Sequence, residues 1–313
     1  MPGDAPITPL SIPAKVRTLI VYGGSFDPPH FYHTIGPLSI VGRLFGPQGW
    51  VLYVPAARSP HKPDGPHAGD EHRLAMLRLA LDVPGPRSIW TDELDRARWR
   101  RERGLGTPSY TIDTLRRLRR IIPSRVSLRL LIGSDQVGAF HRWKDPREII
   151  RLAEPIVMVR EPVVSACSVY SALDKDFWSR DELRAWCTRL APNFPMDPSS
   201  TSVRDAIPKA PKDPDRWEDR PPLNEIVTPV ARYIIEHNLY GFRAGHVKAA
   251  TPVDRPSGDQ PDAMKKLELA AGLTLIQVGQ KMLSDAAASK PPKTKPRKKH
   301  PRAKARGRRK SSS

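Results

Sequence analysis

The stretch Leu19-Ile-Val-Tyr-Gly-Gly-Ser-Phe-Asp-Pro-Pro-His-Phe-Tyr-His33 constrains the fold of this chain more than any other. Its apolar, β-branched opening reads as a buried strand ending near Tyr22. Gly23 and Gly24 follow, where a backbone without Cβ atoms can turn sharply or approach a ligand closely. Asp27, Pro28 and Pro29 suit a helix start, with a capping side chain and then residues of preset φ. His30 and His33 then share one face of the first turn. That end of a helix presents unpaired N–H groups and a positive dipole. Strand, glycine turn and helix together predict a phosphate site with two imidazoles placed to donate hydrogen bonds.

The same texture continues downstream. Strands are expected at Thr18–Tyr22, Trp50–Val54, Ser88–Thr91, Leu128–Ile132, Ile156–Val159 and Phe194–Met196. Asp70 suits the cap of a helix from Glu71 with Leu74, Leu77 and Leu81 on one face. Asp145 and Pro146 open another helix through Leu152, and Ser179 with Glu182 forms a capping-box pattern. Thr228 and Pro229 open a last one, Val230 to Asn238, ending near Gly241. Such alternation predicts an α/β fold, a doubly wound parallel sheet whose site lies at the strands' carboxyl ends.

Composition divides the chain. The net charge is +19, yet Lys290 to Lys310 holds twelve Lys or Arg residues and no acid, leaving +7 for everything else. The expected organisation is a flexible N-terminal arm (1–16), a nucleotide-handling domain (17–243), a linker (244–261), an amphipathic helix (262–288) and a disordered basic tail (289–313). In that helix Met264, Leu267, Ala271, Leu275, Val278 and Met282 form one stripe, which needs a partner or a second copy. The tail suits either a polyanion such as nucleic acid or a purely solubilising role. No apolar run approaches the ~20 residues that span a membrane. The first fifteen residues lack the basic-then-apolar order of a secretory signal. Cys167 and Cys187 match no zinc spacing and read as buried or half-buried thiols in a reducing, cytoplasmic setting. His61, His67 and His72, spaced by six and five, fit no helix face, so no metal site is read there.

Gly24-Ser-Phe-Asp-Pro-Pro-His-x-x-His33 resembles the signature of the nucleotidyltransferases with a (His/Thr)-x-Gly-His motif, above all the nicotinate/nicotinamide mononucleotide adenylyltransferases. One position departs: Tyr32 stands where that family usually has glycine. Further segments match in order. Arg58-Ser-Pro-His-Lys-Pro63 resembles a loop that covers nucleotide phosphates through Lys62. Ser109-Tyr-Thr-Ile-Asp-Thr-Leu115 places Thr111 near the pyridine nucleotide, after an arginine-rich loop (Arg96, Arg98, Arg100, Arg101, Arg103) read as a solvated charge run. Asp135 resembles an aspartate that accepts from ribose hydroxyls, and Trp143 a tryptophan that stacks on the pyridine ring, a core role being its alternative. Ser199-Ser-Thr-Ser-Val-Arg204 resembles a helix start facing phosphate.

The resemblance implies a single Rossmann-like catalytic domain, roughly Arg17 to Phe242, that transfers an adenylyl group from ATP to nicotinate mononucleotide in NAD biosynthesis. It implies His30 and His33 as catalytic groups; Gly24, Ser25, Phe26, His30, His33, Asp135, Ser199, Thr201 and Arg204 around ATP; and Lys62, Thr111 and Trp143 around the pyridine nucleotide. Mg²⁺ would arrive with ATP, with no protein metal ligands. The alternatives are nicotinamide mononucleotide or pantetheine phosphate as acceptor, or a nucleic-acid-binding protein with a decayed enzyme domain. No Gly-x-x-x-x-Gly-Lys-Ser/Thr loop occurs, which disfavours a P-loop ATPase.

Overall fold

The structure, a computed structural model, describes residues 4–57, 66–82, 84–105, 109–192 and 199–243. Its frame is a parallel sheet of β1 (Thr18–Gly24), β2 (Gly49–Pro55), β3 (Arg87–Ile89), β4 (Ser127–Gly133) and β5 (Glu154–Met158). The strand order is β3-β2-β1-β4-β5. The connections after β1 build one half of the sheet and those after β4 the other, so β1 and β4 flank the point where strand order reverses.

Helices cover both faces: α1 (Phe31–Phe45), α2 (Asp70–Ala80), α3 (Asp92–Arg101), α4 (Thr111–Ile121), α5 (Pro146–Leu152), α6 (Ala166–Ala172), α7 (Arg180–Cys187), α8 (Ser200–Ala206) and α9 (Thr228–Glu236). The alternation of β1 divides its side chains. Leu19 and Val21 join Leu115 and Leu118 of α4, Ile149 of α5 and Trp186 of α7 on one face. Ile20 and Tyr22 meet Ile40 and Val41 of α1 and Leu77 of α2 on the other. A third cluster packs Met76 and Ala80 of α2 against Val203 of α8 and Val230 and Ile234 of α9. The expected doubly wound architecture, five of the six strands and the capping box at Ser179 are all present. The strand at Phe194–Met196, the linker, the 262–288 helix and the tail lie outside the described residues.

Several local expectations are corrected. Asp70 is the first residue of α2 and Gly69 its cap; the Asp70 carboxylate pairs with Arg73 at 2.7 Å. The buried face of α2 is Arg73, Met76, Leu77 and Ala80, without Leu74, because Arg73 turns inward to bond backbone carbonyls. Arg96, Arg98, Arg100 and Arg101 of the arginine-rich segment lie on α3, and Arg96 is buried, donating to Thr114 Oγ1 at 3.2 Å. Cys167 is exposed.

The largest correction concerns the N-terminal arm, whose residues from Asp4 onward are bound to the domain. Ala5 is buried, and Ile7, Leu10 and Ile12 pack on the core. Arg117 of α4 donates to the carbonyls of Ala5 (2.9 Å) and Pro6 (2.6 Å) while bonding both oxygens of Asp92 at the start of α3 (2.7 and 2.8 Å). Asp92 also accepts from the Thr8 N–H at 2.8 Å, and the Trp90 indole donates to the Thr8 carbonyl at 2.9 Å. Composition marks a short, proline-rich arm as loose; it does not show that a buried guanidinium elsewhere needs those carbonyls. Arg117→Ala strands the fully buried Asp92 charge, and urea denaturation should show a loss of about 3 kcal/mol or more.

Candidate active site

The loop leaving β1 is held by buried charge. Asp27 does not cap α1. It is 4 % exposed and accepts from the backbone N–H groups of His67 (2.7 Å) and Ala68 (3.1 Å) and from the Tyr240 hydroxyl (2.8 Å). Arg204 of α8 donates to its backbone carbonyl at 2.6 Å. Burial, and then the neighbouring Asp27 charge, pushes the Tyr240 hydroxyl pKa far up, so it remains a donor. Arg73, fully buried, donates to the carbonyls of Ser25 (2.6 Å) and Ala56 (2.7 Å), joining the loop to the end of β2. A basic residue at a helix's inward spacing was the only sign of it in the sequence.

The helix after this loop starts at Phe31, with His30 at its cap position. The His30 backbone N–H donates to His33 Nδ1 at 3.3 Å, and the rings stack with centroids 3.8 Å apart. An accepting Nδ1 puts the proton of neutral His33 on Nε2, leaving that nitrogen a donor. The two histidines therefore differ in role. His33 lines a cavity of about 480 Å³ at the carboxyl ends of β1 and β4; His30 is not among its lining residues. His30 is 2 % exposed, and burial, followed by the field of Arg160, pulls its pKa down to about 3. The structure thus places His30 behind His33 and outside the cavity lining, where both rings were expected to face the phosphate site.

Other anticipated residues converge on the same cavity. Gly24, Ser25 and Phe26 line it from the β1 loop, and Asp135 from the end of β4. At Gly133 an added Cβ would fall 2.2 Å from Asp135 Oδ1, so a side chain there would displace the Asp135 carboxylate. Thr111 lines it from the first turn of α4, and Trp143 from beside Phe140, on which it stacks at 4.8 Å. Trp143 thus serves both the cavity wall and the core edge. Arg204 lines it from α8, but Ser199 and Thr201 do not; Ser200 does, with its hydroxyl donating to the Pro28 carbonyl at 3.1 Å. Ser199 makes no side-chain cap, and Thr201 accepts from Arg204 at 3.0 Å. Lys62 lies outside the described residues.

Among the charged lining residues, Glu93 and Arg160 were not anticipated. Glu93, 8 % exposed, accepts from the Ala57 N–H at 3.2 Å and from Thr114 Oγ1 at 3.5 Å. Burial raises its pKa and the charge of Arg96 opposes that rise. Arg160 enters from the end of β5. Among the described residues no three His, Cys, Asp or Glu side chains gather as metal ligands, and no helix is long and apolar enough to cross a membrane.

A cleft at the switch point of a doubly wound sheet, with a helix start, an imidazole donor and an arginine on one side and an aromatic wall on the other, defines a nucleotide-handling enzyme of the nucleotidyltransferase class. Comparisons with known proteins bear on the family. The cytidylyltransferase-like family model matches residues 21–206. A probable nicotinate-nucleotide adenylyltransferase of Chromobacterium violaceum is 30 % identical over 226 residues, covering 70 % of this chain and 97 % of the relative. One from Aquifex aeolicus is 36 % identical over 151 residues, covering 48 % of this chain and 82 % of the relative. A solved Plasmodium falciparum nicotinic acid mononucleotide adenylyltransferase complexed with NaAD is 18 % identical with a TM-score of 0.49, covering 72 % of this chain and 98 % of that one. The chain belongs to the cytidylyltransferase-like family, among the nicotinate-nucleotide adenylyltransferases.

The buried His30 carries a pH signature. Its folded pKa lies below the unfolded value of about 6.5, so the unfolded chain gains a proton that the folded chain refuses. Above pH 6.5 it contributes nothing; as pH falls below 6.5 it lowers stability by up to about 1.4 kcal/mol per unit. Urea denaturation between pH 7.5 and 5 should show a shallower acid loss in His30→Gln than in the parent.

Proposed function

We propose that the protein joins the 5′-phosphate of nicotinate mononucleotide to the α-phosphate of ATP, releasing pyrophosphate and forming the dinucleotide in NAD biosynthesis. The observation that carries this reading is the meeting of His33, Arg204, Thr111 and Trp143 around one cavity at the switch point. The names of the relatives support nicotinate over nicotinamide and over pantetheine phosphate.

A phosphate oxygen of the mononucleotide attacks the α-phosphorus as the bond to the β-phosphate breaks, and the electron pair leaves with pyrophosphate. The nucleophile is already an anion, so no general base is needed. Alignment and charge neutralisation supply the rate. In this reading the His33 Nε2–H and Arg204 meet the oxygens on which charge grows, and Lys62 has the phosphate-binding role that the sequence resemblance implies. The neutral His30 fixes the His33 ring. Asp135 accepts from a ribose hydroxyl, Gly24, Ser25 and Phe26 border the nucleotide, and Trp143 with the start of α4 receives the pyridine end. Mg²⁺ enters as part of the ATP complex, where it offsets charge on the triphosphate.

Pyrophosphate release from ATP and Mg²⁺, run in parallel with the two pyridine mononucleotides and pantetheine phosphate, should be fastest with nicotinate mononucleotide. His33→Ala should lower kcat by ~10²–10³, the scale of one lost oxyanion donor. A fall in ATP affinity with kcat unchanged would contradict the role given to His33.

For residues 289–313 the twelve cations support binding to a polyanion such as RNA, independent of catalysis. A chain ending at residue 288 should lose salt-sensitive RNA retention in a filter assay and keep pyrophosphate release. The two free cysteines accord with a cytoplasmic setting.

A further inference from the structure

Tyr32 stands where the resembled motif usually has glycine, and its side chain is built into the sheet's edge. It is 2 % exposed, its hydroxyl donates to the Val159 carbonyl just past β5, and its ring packs in the cluster that holds Ile156 and Met158. The Arg160 guanidinium lies over that ring, 5.4 Å from the centroid. The Arg160 backbone is fixed from the other side by one hydroxyl: its N–H donates to Ser134 Oγ at 2.9 Å, and Ser134 Oγ donates to its carbonyl at 3.0 Å. Ser134 is 1 % exposed and directly precedes Asp135. The carboxyl ends of β4 and β5 are therefore locked together, with Arg160 and Asp135 both facing the cavity that His33 lines.

Charge gives Arg160 a task. The cavity wall carries three carboxylates, those of Asp27, Glu93 and Asp135, while its substrate is a polyanion. Arg160 is a lining residue whose field already acts on the neighbouring His30, and it adds a cation to the one that Arg204 brings to the cavity. We infer that Arg160 is an ATP-contacting residue that donates to anionic oxygens of the nucleotide, and that Tyr32 is its positioning residue, holding the guanidinium over its ring at the cavity wall. A planar guanidinium suits both tasks, stacking on an aromatic face while its edge donors meet oxygen pairs; a lysine ammonium suits neither as well.

This inference rests on the ATP-dependent reading of the site, so the test begins with pyrophosphate release by the parent protein. Inactivity of folded parent protein overturns that reading itself; an active parent allows the inference to be judged alone. Steady-state constants for both substrates are then measured for Arg160→Ala, Arg160→Lys, Tyr32→Gly and the double variant Tyr32→Gly with Arg160→Ala, with thermal melting to confirm folding. Arg160→Ala should raise KM for ATP by about ten- to a hundredfold, the scale of one charged hydrogen bond, with KM for the mononucleotide nearly unchanged. Arg160→Lys should recover part of that loss. Tyr32→Gly should raise the same constant by about three- to tenfold. The double variant should be no worse than Arg160→Ala, because a positioning residue has nothing left to position. An unchanged KM for ATP in Arg160→Ala, equal rises in both KM values, or fully additive losses would overturn the inference. Should Tyr32→Gly fail to fold, Tyr32→Leu, which keeps apolar bulk without the aromatic face, replaces it with the same expectation.

Discussion

The buried carboxylate of Asp27 is the constraint on which the active-site region depends. A carboxylate taken out of water costs several kcal/mol unless its oxygens are fully supplied with donors. Here those donors come from the segment before α2 and from Tyr240 beyond α9, while Arg204 of α8 binds the same residue's carbonyl. Segments far apart in the chain must therefore converge on one loop before the charge is satisfied. That convergence shapes the cavity between the β1 loop and α8, and makes the position of Arg204 a consequence of folding.

The histidine pair follows the same logic. Two imidazoles three residues apart at a helix start are chemically alike in sequence, but one lies against the cavity and the other beneath it. Burial and a nearby guanidinium pull the His30 pKa down, and its ring stacks on that of His33. The hydrogen bond from the His30 backbone to the His33 ring orients the His33 donor. Catalytic power at such a site comes from preorganisation, in which donors are set before charge develops and need no rearrangement during reaction.

Much of this was legible beforehand. The strands at Leu19, Val51, Leu128 and Ile156 announce themselves by apolar runs, and glycines at 23, 24 and 133 mark where strands give way to ligand-facing turns. The quoted motifs led to Gly24, His33, Thr111, Asp135, Trp143 and Arg204, which the fold brings to one cavity. What escaped were partners distant in sequence. Asp27 reads as a local cap because capping is the short-range use of an aspartate before prolines; its real donors lie about forty and two hundred residues away. Arg73, Glu93 and Arg117 escaped for a related reason: charged residues on helices normally face water, and only the packed structure shows these three turned inward to carbonyls, hydroxyls and Asp92.

The sequence by itself determined the alternation of strands and helices, the parallel sheet and the place of the site at its carboxyl edge, because hydrophobic periodicity and turn chemistry act over a few residues. It also carried the order of motifs that identifies the family. Tertiary structure alone decided which histidine meets the cavity, that Ser200 and not Ser199 lines it, that the N-terminal residues are clamped by Arg117, and that Tyr32 supports Arg160. Each of those outcomes depends on the desolvation of a polar or charged group by chain that is remote in sequence, and burial of that kind exists only once the elements have packed.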